Sequence, residues 1–302
     1  MELSALRHFH ETVRNGSIRR ASDVLHVAPS SISRSIAALE HDLGAPLFER
    51  SNRGMRLTPA GEVLSVHTGK VFRDIDRARS AIDDLRGLRR GRVSLFAPEG
   101  LVGGFLPSVL ADYHRSYPAV SFEVSVGSTD RITQAIVGDE ADIGITFNRE
   151  PRADVVTVAE YVEPLCCLVA PSHPLAARGV LALSEVAECR LALPATSFGM
   201  RRMVDGAFFA ARLQPRLILD TNSLELAKRL AMTGEAVAFM PTFMVRDDID
   251  RGALIALALE DGALAQARTS VCVHRDRQLS FASRALLRLI SDRLEDLSRS
   301  RP

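Results

Sequence analysis

A chain of 302 residues, 46% apolar and 25% charged, can fill two or three separate cores, and no apolar run reaches the ~18–20 residues that a membrane-spanning helix needs. Its four cysteines (Cys166, Cys167, Cys189, Cys272) make no CxxC pair, no zinc spacing and no disulfide framework, so no metal and no cofactor is expected. The net charge of +1 hides an asymmetry: residues 1–90 carry 15 Lys and Arg against 11 Asp and Glu, which leaves 23 against 26 behind them, a pattern of a polyanion-facing module joined to something else.

Leu3, Leu6, Phe9 and Val13 recur at three, three and four, the spacing of one helical face over residues 3–14. Asn15-Gly16 breaks that helix, and Ser17 is a suitable cap for a second one that turns Ile18, Ala21 and Leu25 inward. After the turn Leu25–Ala28, Pro29 stands where a first-turn proline is tolerated. A third helix then carries Ile32, Ile36, Leu39 and Leu43 on one stripe and stops at Gly44. Three short helices with a tight turn between the second and third make a helix-turn-helix.

The third helix opens with four serines in six residues, Ser30, Ser31, Ser33 and Ser35. Opposite its apolar stripe lie Ser30, Arg34 and His41, with Ser31 and Ser33 beside them, so the leading half of the exposed face is small, polar and free of acid. A DNA major groove, about 12 Å wide, admits a helix whose leading side chains are short. Serine hydroxyls there can donate or accept to bases and phosphates, and Arg34 reaches either a phosphate or a guanine. A solvated surface face is the competing reading of the helix taken alone. The next stretch of chain decides between them: extended pieces at Leu47–Arg50 and Met55–Thr58 flank a turn, and this hairpin brings the basic Arg50, Arg53 and Arg56. A hairpin directly after a helix-turn-helix is the wing of a winged-helix module. The expected DNA-facing set is therefore Ser30, Ser31, Ser33, Arg34, Arg50, Arg53 and Arg56.

Thr58-Pro59 starts a long helix that runs to about residue 88, with Leu64, Val71, Ile75, Ala78, Ile82 and Leu85 at seven, four, three, four and three. Such a heptad seam on a helix with no domain of its own to lie on predicts pairing with another copy. The Gly- and Arg-rich stretch 86–92 holds a hinge at 89–91. Behind it the pattern changes to short β-rich runs alternating with helices: strands near 92–97, 121–126, 141–146, 163–170, 190–194, 216–220, 236–241 and 270–274, and helices near 101–117, 130–138, 199–213, 223–233 and 278–298. This alternation predicts two doubly wound α/β lobes, and ligands in such folds bind beyond the carboxyl ends of strands.

The motifs LRHFHETVRNGSI, ASDVLHVAPSSISRSIAALEHDLGAPLFER and RGMRLTPAGE resemble the N-terminal module of LysR-type transcriptional regulators. The rear stretches APEG, LPSVLADYHRSYPAVSFEV, GDEADIGIT, APSHPLA and AMTGEAVAFMP resemble their effector domain, in the same order and over nearly the whole chain. The resemblance implies a winged helix-turn-helix at 1–58, a dimerising linker helix at 59–88 and, after the hinge, a regulatory domain at 92–302 of the two-lobed periplasmic-binding-protein type. Lobe I is expected at about 92–162 and 268–302, lobe II at about 163–267. The resemblance also implies promoter DNA as partner, a dimer of dimers, and a small-molecule effector between the lobes. Pro29 stands where many relatives carry glutamine, Ala28 where they carry a hydroxyl residue and Ile18 where phenylalanine is common, which alters the target sequence rather than the binding.

Loop and helix starts after the strands supply the candidate effector set: Pro98, Glu99, Gly100, Ser128, Thr129, Phe147, Ser197, Phe198, Arg201, Asn222 and Ser223. Convergent N–H groups and hydroxyls favour a small carboxylate or an amino-acid-like metabolite. Glu99, where it faces the cleft, argues against a dianion and for an amino or cationic group; Arg201 is equally a surface helix residue. The chain carries no GxSxG, HExxH, Walker A loop or GxGxxG, so no catalysis is expected. A solute-binding protein fits the rear alone, but the front 90 residues and an N-terminus without a signal-peptide core place the chain in the cytoplasm. A thiol-oxidation switch is the remaining alternative. Cys166 and Cys167 are adjacent in a strand and face opposite ways, which strains a bridge between them.

Overall fold

Helices form at the front of the chain where the apolar spacing places them: α1 (Leu3–Asn15), α2 (Ile18–Leu25) and α3 (Pro29–Leu43). The computed structural model describes residues 1–51, 54–86 and 89–299; of the residues that the sequence singles out, Arg53 lies outside the described residues, as do the side chains of Arg50 and Leu85. His26, at φ 54°, turns the chain tightly between α2 and α3, and Gly44, at φ 65°, ends α3 in the left-handed conformation that glycine adopts at least cost. Phe9, Leu39 and Leu47 are fully buried in one cluster, and Ala21, Ile32 and Ile36 in a second. Leu3 and Leu43 are instead 52% and 45% exposed, since each sits in a terminal turn at the end of its helix.

The wing is the antiparallel pair β1 (Phe48–Ser51) and β2 (Gly54–Leu57), with Phe48 opposite Leu57. Its root is held by Glu40 of α3, whose carboxylate accepts from the N–H groups of Leu47 (2.7 Å) and Phe48 (3.3 Å). Thr58 caps the next helix, α4 (Pro59–Leu85), by accepting from Gly61 N–H at 3.1 Å while donating to Pro46 O at 2.6 Å. Gly61 has no room for a side chain: a Cβ there would stand under 3.0 Å from the Leu47 carbonyl oxygen. Ala60, Leu64 and Phe72 turn one side of α4 onto the core of the winged helix.

The chain divides into two compact units, Met1–Ile82 and Asp83–Pro302. At the entrance to the second, Arg90 bonds both carboxylate oxygens of Asp83 (2.8 and 2.9 Å), and the Arg89 guanidinium lies 5.8 and 5.3 Å from the rings of Tyr117 and Phe281. Lobe I contains β3 (Gly91–Ala97), α5 (Phe105–Ser116), β4 (Val120–Val126), α6 (Thr129–Val137), β5 (Ile143–Phe147) and β6 (Val155–Val162). Lobe II contains β7 (Leu165–Val169), β8 (Val180–Leu181), α7 (Leu183–Ala187), β9 (Arg190–Pro194), α8 (Gly199–Ala210), β10 (Arg216–Thr221), α9 (Leu224–Met232), β11 (Ala238–Pro241), α10 (Arg246–Asp250) and β12 (Ile255–Leu259). The chain then returns to lobe I for β13 (Arg268–His274) and α11 (Phe281–Arg299).

The lobe I sheet has the order β4-β3-β5-β13-β6, with β3 parallel to both neighbours and β13 antiparallel to β5 and β6. Apolar residues from α5 and α11 cover one face and those of α6 the other. Tyr113 of α5 donates its buried hydroxyl to Ala282 O at 2.9 Å, and burial pushes its pKa up to about 12. Lobe II has the order β11-β7-β12-β8, and a bridge from Leu191 to Val237 joins it to the parallel pair β10-β9. Where the two interlobe connections pass each other, Glu163 N–H donates to Ala267 O at 2.9 Å. The strands β6 and β12 stand where sequence periodicity marked none. Both are completed by partners far along the chain: β6 by β13, and β12 by β7.

Replacing Gly61 with Ala forces a methyl group against the Leu47 carbonyl and is expected to destabilise the front unit by about 1–3 kcal/mol. A thermal scan followed by circular dichroism should show an earlier first transition; an unchanged one would mean that α4 shifts freely over the wing.

Candidate nucleic-acid interface and interlobe site

On α3, three apolar side chains are spent on holding the helix and the opposite face is left open. Ile32, Ile36 and Leu39 are 4% exposed or less, while Ser30, Ser33 and Arg34 are exposed and Ser31 is half-buried. Arg34 makes no ion pair among the described residues. Ser35, the last serine of the run, is held by His8 Nδ1 at 2.8 Å and is not part of the open face. On α2, Arg19 and Arg20 are both exposed and not singled out by the sequence; two consecutive cations were the available signal. In the wing, Arg56 is exposed, with Glu49 at 4.0 Å.

Along α4 the expected seam divides. Leu64 is half-buried against the winged-helix core, so the first residue of the seam is occupied within its own unit. Val71 and Ile82 are 40% and 52% exposed, Ala78 is exposed and Ile75 half-buried. These four lie on one stripe of α4, in line with Leu64.

In the second unit the effector candidates converge on the junction of the lobes, where they meet one another. Thr129, buried at the start of α6, donates its hydroxyl to Phe147 O (2.9 Å) and accepts from Gly199 N–H at the start of α8 (3.2 Å). Asp130 N–H donates to Ser197 O at 3.2 Å, and the Asp130 carboxylate pairs with Arg202 at 3.0 Å. A Cβ on Gly199 would collide with the Phe147 carbonyl, so only glycine lets α8 approach lobe I this closely. Phe147 and Phe198 are buried in the lobe II core, although Phe147 belongs to a lobe I strand.

A second set of contacts joins the lobes at Glu99. Pro98 is buried, and Glu99 and Gly100 are half-buried in a short 3-10 turn after β3. Glu99 Oε1 accepts from the Ser223 hydroxyl at 3.1 Å, and Oε2 accepts from the N–H groups of Leu224 and of Glu225 (3.2 Å). Gly100 abuts Met244 of the turn Thr242–Met244. Ser128 caps α6, Ser223 caps α9 by accepting from Leu226 N–H at 3.1 Å, and Asn222 is exposed.

Arg201 is held by groups of its own lobe. Asp205 and Asp220 each hold it at 2.8 Å, and Pro194 O accepts from it at 3.0 Å. Burial depresses its pKa, and the bonds to Asp220 and Asp205 outweigh that and raise it. Asp130, Arg202 and Met244 were missed from the sequence because each is defined by a neighbour in the opposite lobe. All four cysteines are free thiols. Cys167 is buried, and burial pushes its pKa up, away from the reactive thiolate. Cys272 is buried with the hydroxyls of Thr146 and Thr157 each 3.7 Å from its sulfur.

Among the described residues no helix is long and apolar enough to cross a membrane. Two family profiles match the chain: "Bacterial regulatory helix-turn-helix protein, lysR family" over residues 3–62, and "LysR substrate binding domain" over residues 86–295. The transcriptional dual regulator GltC of Bacillus subtilis is 31% identical over 242 residues, covering 80% of this chain and 81% of that protein. Among solved structures, a full-length OxyR variant from Pseudomonas aeruginosa superposes with a TM-score of 0.71 at 22% identity, covering 98% of this chain and 95% of the other. Full-length CbnR complexed with its target DNA gives a TM-score of 0.70 at 22% identity, covering 97% of this chain and 100% of the other. With winged helix, long helix and two-lobed α/β unit in the order of these proteins, and profiles matching both units, the chain belongs to the LysR family of DNA-binding transcriptional regulators.

Proposed function

We propose that α3 enters the major groove of promoter DNA, with Ser30, Ser31, Ser33 and Arg34 toward the duplex, and that the wing arginines Arg50, Arg53 and Arg56 rest on the backbone. The observation that carries this reading is the open, acid-free leading edge of α3 above a stripe of buried isoleucine and leucine. A hydroxyl-bearing edge without bulk fits a groove, and arginine supplies the reach that serine lacks. Copies pair through Val71, Ile75, Ala78 and Ile82 of α4, which sets two recognition helices on two half-sites, and pairs assemble into a dimer of dimers. A small metabolite taken between the lobes, where Pro98, Glu99, Gly100, Ser128, Thr129, Phe147 and Ser223 converge, changes that assembly and so the regulation. The protein acts in the cytoplasm by binding and without catalysis.

Fluorescence anisotropy with the promoter fragment beside the gene, against a scrambled duplex of equal length, tests the reading. Binding of the two duplexes with equal affinity would overturn it. Arg34→Ala is expected to weaken operator binding by ~1–3 kcal/mol and random DNA by less, as for an arginine that reads guanine. Arg53→Ala is expected to lower the slope of log affinity against log salt by about one unit with little effect on sequence choice; an unchanged slope would remove the wing from the interface.

A further inference from the structure

We propose that Glu99 is a built-in latch: a lobe I carboxylate that closes the two lobes on each other with no effector present. Three features carry it. The acceptor comes from the turn after β3 in lobe I, and all its donors belong to the start of α9 in lobe II. The first three N–H groups of α9 are satisfied in full, Leu224 and Glu225 by Glu99 and Leu226 by Ser223, whose hydroxyl is in turn oriented by donating to Glu99. The neighbouring Gly100 packs directly against the Met244 side chain, so the turn is seated on two separate elements of lobe II.

Glu99 makes no ion pair among the described residues. Its charge is met by two backbone N–H groups at the start of α9 and by the Ser223 hydroxyl, donors that favour an anion at a helix start and lose that attraction when the charge is removed. Among the polar contacts that join the lobes at Thr129, Asp130 and Glu99, it is the one in which a carboxylate side chain receives backbone N–H groups. The pairs at Thr129 and Asp130 use a hydroxyl, main-chain atoms and an arginine. An effector that carries a carboxylate to this end of the cleft must therefore displace Glu99, whereas one that carries an ammonium group binds Glu99 where it stands. That last step rests on the interlobe effector reading; the latch itself does not.

The test uses the full-length protein with neither DNA nor effector, so that failure of the latch leaves the effector reading standing. Hydrogen exchange is followed on a peptide spanning 222–228, and lobe separation by fluorescence transfer between a dye in each lobe. In Glu99→Ala the amides of Leu224 and Glu225 are expected to exchange at least about tenfold faster, the cost of losing a charge-assisted bond, and the lobes to separate. Acetate or formate at tens of millimolar should slow the exchange again in Glu99→Ala while the lobes stay apart, since a free carboxylate caps α9 but is not tied to lobe I, and methylammonium should change neither reading. Unchanged exchange, or faster exchange with the lobes still closed, would overturn the latch, since the second result is that of a simple helix cap. Should Glu99→Ala fail to fold, Glu99→Gln keeps the shape and loses the charge: several-fold faster exchange with open lobes supports the proposal, and wild-type behaviour of both readings overturns it.

Discussion

A backbone N–H withdrawn from water has to find an acceptor, and at the junction of the two lobes this chain finds those acceptors in the opposite lobe. Gly199 at the start of α8 turns to Thr129, Asp130 at the start of α6 turns to Ser197 O, and Leu224 and Glu225 at the start of α9 turn to Glu99. Three helix starts thus depend on groups that their own lobe does not supply. An isolated lobe would present unsatisfied donors there, so the lobes are matched at the cleft through their helix ends rather than through apolar surface alone.

The front unit meets the condition in another way. Glu40 reaches out of α3 to the N–H groups of Leu47 and Phe48, and Thr58 ties the first turn of α4 to Pro46. These bonds fix the wing relative to α3 without using any residue of its open edge. The core that holds the helices is built from residues such as Phe9, Ala21, Ile32, Ile36, Leu39 and Leu47, and it leaves Ser30, Ser33 and Arg34 exposed. An exposed edge is free to vary when the scaffold beneath it is complete without it. Serine makes that edge shallow, and a single arginine gives it length.

The helices of the front unit were legible in the sequence because each buries a face against close neighbours, and a period of three to four residues reports that burial directly. Thr58, Pro59 and Gly44 marked the ends for the same local reason. The heptad stripe on α4 was legible too, but its first residue was not: Leu64 lies on the stripe and on the face that meets the winged-helix core, and spacing cannot say which surface claims it. In the second unit, β6 escaped notice because its residues alternate irregularly along an edge of the sheet. It becomes a strand through β13, where Glu160 meets Ser270, 110 positions away in the chain.

Taken by itself, then, the sequence determined the class of each unit, the three front helices and their open serine edge, and some of the residues that meet at the junction of the lobes. It did so because those features follow from periodicity, capping and composition, which act over a few residues. Tertiary structure alone decided that Arg201 is held by Asp205 and Asp220, that Gly199 must be glycine to clear the Phe147 carbonyl, and that the carboxylate of Glu99 spans the cleft to α9. Each of those outcomes is set by which distant backbone arrives within hydrogen-bond reach, and no local pattern encodes that distance.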